Sequence, residues 1–360
     1  MTIDILNSYY MMGLWEGLSP VNTFFRDRYF PTEAGDIYAA DKVLCEYRDG
    51  DHGMAPFMVE RAEPIAVGRQ GYEIHEYVPT KIAQSCPLTL DDLKKRGFGE
   101  ALLTNLTEAD RYVRIVMEDL ARLERRFART EEWLCAQTMI NNGFSVNEMI
   151  DKNTVGNTAT GQYYDSNLGN DGLYTVSTPW APTSAGSVIV SDVRAICRSL
   201  AKRGLPAQDL IVGQAVADIL LQNTDFVRLV DKNSGIIIAS PIVQQLTQYD
   251  GVSLLGIINF GGYNLQVIVV DEPYTAANGT TTNYFPAKSI MVSAPGAGHL
   301  MYAHITHLDE AGNYTTITGK RVPDLFVDRK RKTREIILES RPLAAPKNYA
   351  PWVYAANVVA

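Results

Sequence analysis

Apolar residues recur at three- and four-residue spacing through one long stretch, about 107–142. Val113, Val116, Leu120, Leu123, Phe127 and Leu134 form a single stripe, and Thr130 breaks the row. Thr107-Glu108-Ala109-Asp110 resembles a capping box with Asp in place of the usual Glu or Gln, and Gly143 supplies a stop. Asp110/Arg114 and Glu118/Arg122 stand at i, i+4 on other faces. A helix of about 35 residues is roughly three times the usual length and would run about 50 Å. A compact small domain needs no such rod, so it is either a coiled coil or a strut beneath a sheet. One interrupted stripe followed by strands favours the strut.

The pattern differs on either side. Residues 37–90 read as strands: Ile37-Tyr38, Val43 to Tyr47, Phe57-Met58-Val59 and the alternating Tyr72 to Val78. Arg61 to Gly71 is polar and punctuated by glycine, which fits a hairpin projecting from the body. Residues 152–187, rich in Asn, Gly, Thr and Tyr, read as a long loop or flexible hairpin. An amphipathic helix over 188–203 buries Ile189, Val193, Ile196 and Leu200. Strands at 209–213, 235–238, 252–256, 265–270 and 288–292, with a short helix at 214–223, make a compact α+β unit. Longer strands follow, including Leu300 to Leu308 and Arg334 to Glu339, and then a Pro-rich exit through Pro342, Pro346 and Pro351.

Composition narrows the class. With 360 residues, 46% hydrophobic and 21% charged, the chain is expected to fold, in about two structural units. No apolar run approaches the ~20 residues of a membrane span, and residues 1–13 lack a signal-peptide pattern, so a cytoplasmic site of synthesis and no membrane are expected. A net charge of −8 argues against sequence-specific grip on nucleic acid. The dispersed Cys45, Cys86, Cys135 and Cys197 read as small buried residues.

Candidate chemistry is sparse. There is no P-loop, GxGxxG, GxSxG or HExxH. His304-Ile305-Thr306-His307, near Asp309, is the nearest approach to a metal site. Residues three apart on a strand face opposite ways, so exposed strand histidines are expected instead. Cys197 lies beside Ile196 and Leu200 on an apolar helix face and reads as core. The basic run 328–334 could touch DNA phosphates, but a solvated strand start or ion pairs to another copy is favoured. Catalytic, metal and cofactor sites are all expected to be absent. Asn22 to Pro31, aromatic and charged at once, needs a partner surface, either its own core or a neighbouring subunit.

The order of parts resembles the tailed-phage capsid fold of the Hong Kong 97 type, and the local sequence is similar to the lambda phage major head protein family. The residues that carry this are Phe25-Arg26, Ile37-Tyr38, Ala55-Pro56-Phe57, Tyr77 to Ile82, Arg125 to Glu132 and Glu339-Ser340-Arg341-Pro342-Leu343. The resemblance implies an α+β shell subunit with an N-terminal arm (1–36) and an extended hairpin, the E-loop (37–90). A peripheral domain (91–187) would hold the spine helix and a flexible loop (152–187). An axial domain (188–309), return strands (310–345) and a C-terminal segment (346–360) would complete it. It implies hexamers and pentamers of an icosahedral head around double-stranded DNA, in the virion and assembled in the host cytoplasm. Scaffold, portal and decoration proteins would be partners. No fused scaffold extension and no self-crosslinking Lys–Asn pair can be identified.

Candidate contacts between copies are Phe25 and Arg26 in the arm, and Glu60, Arg61, Glu63 and Arg69 at the hairpin tip. On the helix they are Arg122, Arg125, Arg126, Arg129, Glu131 and Glu132. An encapsulin-like compartment that holds a cargo enzyme is the alternative, and a metal enzyme using His304 is a more distant one.

Overall fold

The computed structural model describes residues 23–47, 71–89, 108–149, 162–168, 172–232, 249–277, 279–308, 313–328 and 333–359. Its first elements are α1 (Phe24–Tyr29), β1 (Ile37–Tyr38), β2 (Val43–Tyr47), β3 (Glu73–Tyr77) and β4 (Ile82–Thr89). The long helix α2 (Glu108–Asn141) follows, then β5 (Gly143–Glu148), β6 (Gln162–Asn167) and β7 (Leu173–Tyr174). Next come α3 (Gly186–Lys202), β8 (Asp209–Gly213), α4 (Gln214–Gln222) and α5 (Thr224–Lys232). After these lie β9 (Val252–Asn259), β10 (Asn264–Val270), β11 (Pro273–Thr275), β12 (Thr281–Asn283), β13 (Ile290–Ser293) and β14 (Gly298–Ala303). The last are β15 (Ile305–Leu308), β16 (Tyr314–Ile317), β17 (Val322–Asp328), β18 (Thr333–Ser340), β19 (Pro342–Pro346) and β20 (Val353–Ala355).

Helix α2 has the length that its stripe predicts. Val116, Leu120, Leu123, Phe127 and Leu134 are all buried. The first four face the three-stranded sheet β17-β18-β4: Leu123 and Phe127 meet Cys86 and Leu338, and Val116 and Leu120 meet Ile336, while Leu134 packs on Val43, Tyr77 and Leu343. The strut reading therefore describes this rod, and Val113 is only half-buried at its margin. Its end lies one residue earlier than glycine alone predicts. Asn142 takes the left-handed conformation (φ 54°) and is held by an indole N–H from Trp352, 3.1 Å away. The expected cap at Thr107 lies outside the described residues.

The compact unit is built on a six-stranded sheet of order β7-β20-β13-β8-β10-β9. Strand β8 is buried on both faces, and its alternation sorts the core. Leu210 and Val212 face α3 and α4 through Ile189, Val193, Ile196, Leu200, Val216 and Leu220. Ile211 faces the opposite cluster, which holds Phe24, Phe25, Tyr29, Phe30, Met139 and Trp352. One feature escaped the sequence pattern: helix α5 was not expected. The stretch 152–187, read as a long loop or flexible hairpin, contains β6, which pairs antiparallel with β5. The Pro-rich exit also differs from expectation. Pro342–Pro346 is a strand at the edge of the sheet β1-β14-β19, a place where proline's missing N–H costs no ladder bond.

Candidate functional site

The strongest concentration of charge is a buried knot where α1, α2 and the turn before β17 meet. Arg321 stands at its centre. Its Nη1 and Nη2 donate to the two oxygens of Glu131 at 2.5 and 2.9 Å, and its Nε donates to Glu124 at 2.7 Å. The guanidinium also lies 5.3 Å from the Phe127 ring centre. The Tyr302 hydroxyl donates to Glu131 at 2.9 Å, and Arg26 lies 3.3 Å from the same carboxylate. Two carboxylates thus meet two guanidiniums, which is what burial of charge requires. Burial opposes ionisation of Glu131, but Arg321 and then Arg26 outweigh it and hold its pKa below the ordinary value.

Glu132 is fully buried next door and accepts the backbone N–H groups of Phe25 at 2.6 Å and Arg26 at 2.8 Å. Burial pushes its pKa up to about 8, against the pull of those two N–H groups. A second tie reaches the six-stranded sheet. Arg28 grips Asp209 in a two-pronged contact at 2.7 and 2.9 Å, and the Tyr29 hydroxyl donates to the same carboxylate.

Phe25, Arg26, Glu131 and Glu132 are engaged inside one chain, with Phe25 and both glutamates almost wholly buried. Phe24, Phe25, Tyr29 and Phe30 lie in the chain's own core. Residues 1–22 fall outside the described residues, as do Glu60, Arg61, Glu63 and Arg69.

The four arginines of α2 have the opposite fate: Arg122, Arg125, Arg126 and Arg129 are exposed. Arg122 pairs with Asp119 at 3.3 Å, not with Glu118, and donates to the Cys86 sulfur. Glu118 instead takes Arg114 at 2.9 Å. Arg125 donates to the Ala121 carbonyl and Arg126 to Gln84. The charge of Arg129 acts on Glu272, whose pKa burial and then Asp250 push up to about 7 against it.

The hairpin stem is the second outward feature. In the β2–β3 ladder Leu44 stands opposite Glu76, and Glu46 opposite Ile74. Val43, Cys45 and Tyr77 face inward, onto Leu134, Phe144, Met301 and Leu343. Leu44 and Ile74 face outward and are 64% and 53% exposed, each beside a carboxylate. A strand face that alternates apolar and acidic positions in this way suits contact with another surface. Strand β4 lies beyond this ladder and joins the sheet under α2.

The reactive candidates resolve differently. The strand 300–308 breaks at His304. That side chain is half-buried and has its Nε2 3.4 Å from Asp41, so the expectation of exposed histidines is corrected. His307 is also half-buried. Among the described residues no group of three or more His, Cys, Asp or Glu could hold a metal ion, and Asp309 lies outside them. Burial pushes the Cys197 thiol up to about 11, which leaves it no nucleophile at neutral pH. All four cysteines are buried and unbridged. Of the basic run, Arg334 lies over the Tyr112 ring, and 329–332 are outside the described residues. No described helix is long and apolar enough to cross a membrane.

Sequence reasoning missed Arg321, Arg28 and Asp209. Each looks like a surface charge locally, and their partners lie 190 and 181 residues away.

Comparison with known proteins adds context. A family described as phage major capsid protein E matches residues 8–357. A crystal structure of a candidate capsid protein of a prophage from E. coli CFT073 superposes with a TM-score of 0.61 at 16% identity, over 99% of each chain. A phage-related protein from Bordetella bronchiseptica RB50 gives 0.50 at 12% identity, over 96% of this chain and 95% of its own. No curated protein matches.

Proposed function

The chain belongs to the phage major capsid protein E family, a shell-forming component of the phage head, and on that premise we propose how its copies assemble. The fold is the tailed-phage capsid fold of the Hong Kong 97 type. In our reading, copies join as hexamers and pentamers into an icosahedral shell that encloses double-stranded DNA without reading its sequence. Assembly takes place in the host cytoplasm with a scaffold, and a portal and a decoration protein join the shell. Residues 188–309 serve as the axial domain, α2 and the return strands as the peripheral domain, and 37–90 as the extended hairpin laid over a neighbour.

The observation that carries this reading is the stem face. Leu44 and Ile74 remain open to solvent on a projecting ladder while the core behind them is closed. Exposed apolar residues in an isolated subunit gain their burial on association. The exposed arginines of α2 supply a positive surface that complements Glu46 and Glu76 of another copy. Stem and helix are different patches, so contact between them is head-to-tail, and a head-to-tail contact that closes makes rings.

Electron microscopy of the chain produced with and without a scaffold tests the proposal. Closed shells are expected. Only soluble monomer under every condition would contradict it, and shells that carry a cargo enzyme in place of DNA would refute the packaging role.

A further inference from the structure

The two roots of the hairpin are anchored on different sheets. The entering strand is held by β1, where Tyr38 pairs with Ala303 of β14. The leaving strand is held by β4, where Ile82 pairs with Ser340 of β18. One residue, Arg341, lies between β18 and β19, at the junction of those two sheets. Its Nη1 donates to Asp41 on the entering root at 2.8 Å and lies 3.4 Å from the His304 carbonyl. Its Nη2 donates to the Pro79 carbonyl on the leaving root at 3.3 Å. The Arg341 carbonyl in turn accepts the Ala303 N–H at 3.1 Å, which fixes the backbone from which the side chain reaches out.

We infer that Arg341 is a positioning residue: its guanidinium clamps both roots of the hairpin, and so sets the angle at which the stem is presented to a neighbouring copy. A planar fork with several donors can hold two separate acceptors at once, whereas an ammonium on a flexible stem holds one point. The hydrogen bond from Arg341 also draws the Asp41 carboxyl below its ordinary range, so the anion stays available to the clamp. His304 Nε2 lies 3.4 Å from the same carboxylate oxygen. Between the anchors at Tyr38 and Ile82 and the ladder at 43–47 and 73–77, the Arg341 side chain touches both roots. The β2–β3 ladder ties the two strands to each other, and Arg341 ties their roots to the junction of the two sheets.

The part played in shells rests on the capsid reading above, but the clamp can be measured apart from it. Spin labels at Glu46→Cys on the stem and Arg125→Cys on α2 report their separation in the free full-length chain. The unaltered clamp is expected to give one narrow distance distribution. Arg341→Met should broaden it and reduce closed-shell yield about tenfold or more, as loss of charged hydrogen bonds implies. Arg341→Lys should restore the distribution only in part, because it keeps the charge and loses the fork. Asp41→Asn alters only an exposed carboxylate and carries the same test if Arg341→Met does not fold. A distribution as narrow in Arg341→Met or Asp41→Asn as in the parent chain would overturn the clamp, whatever the shells do. Broadening in a chain that never forms shells would keep the clamp and sink the capsid reading instead.

Discussion

Arg129 and Glu131 stand two residues apart on one helix, and their charges go to opposite uses. Glu131 turns inward and meets Arg321, Arg26 and Tyr302 directly. Arg129 turns outward with Arg122, Arg125 and Arg126 and stays in solvent. The inner group binds α1, α2 and the return strands into one body, so its loss should unfold the chain. The outer group, with the open face of the stem, contributes little to the isolated chain, so its loss should leave a folded subunit that assembles poorly. Each side of this contrast can be broken separately.

The largest effect is expected from Arg321→Met. It leaves buried Glu131 and half-buried Glu124 without their main counter-charge, and should cost about 3–5 kcal/mol in denaturant unfolding. Gly298→Ala comes next. A Cβ there would lie 2.3 Å from the Phe30 ring, so the aromatic cluster must shift, at a cost of about 1–3 kcal/mol on the same measurement.

Glu132→Gln tests the inner group through pH. The folded carboxyl, raised to about 8 from an ordinary 4.5, holds its proton more tightly than the unfolded one. Its contribution is therefore full below pH 4.5 and is lost as pH rises through about 8. Stability measured across that window should fall with pH in the parent chain, and the fall should be shallower by one proton in the variant.

The smallest effect on stability belongs to Leu44→Asp combined with Ile74→Asp. Thermal unfolding should change by about 0.5 kcal/mol or less for each surface substitution, yet sedimentation should show the loss of large particles.

Legibility in the sequence divides along the same line. The spine helix, 34 residues long, could be read because its stripe repeats at helical spacing from Val113 to Leu134. Strands β8, β10 and β13 could be read as apolar runs between turn residues, and the stem because Tyr72 to Val78 alternates. The knot could not. Arg321, Asp209 and Arg28 carry residue types that pattern reading assigns to the surface, and only the three-dimensional path brings their partners to them. For the same reason the partner surface of Phe25 and Arg26 stayed open. An aromatic and charged strip demands a partner, and composition does not say whether that partner is the chain's own core. Strand β19 was hidden by its prolines, which mark an exit unless the strand is known to lie at an edge. Of the candidate site, the outward arginines were legible as residues, and the structure describes none of the hairpin tip.

Hydroxyl-radical footprinting of the free chain and of assembled particles tests the contrast most directly. Leu44 and Ile74 should be oxidised readily in the free chain and protected in particles, while Phe25 and Tyr302 stay unreactive in both. Equal oxidation of Leu44 and Ile74 in both states would contradict the account, because the stem face would then meet no other copy.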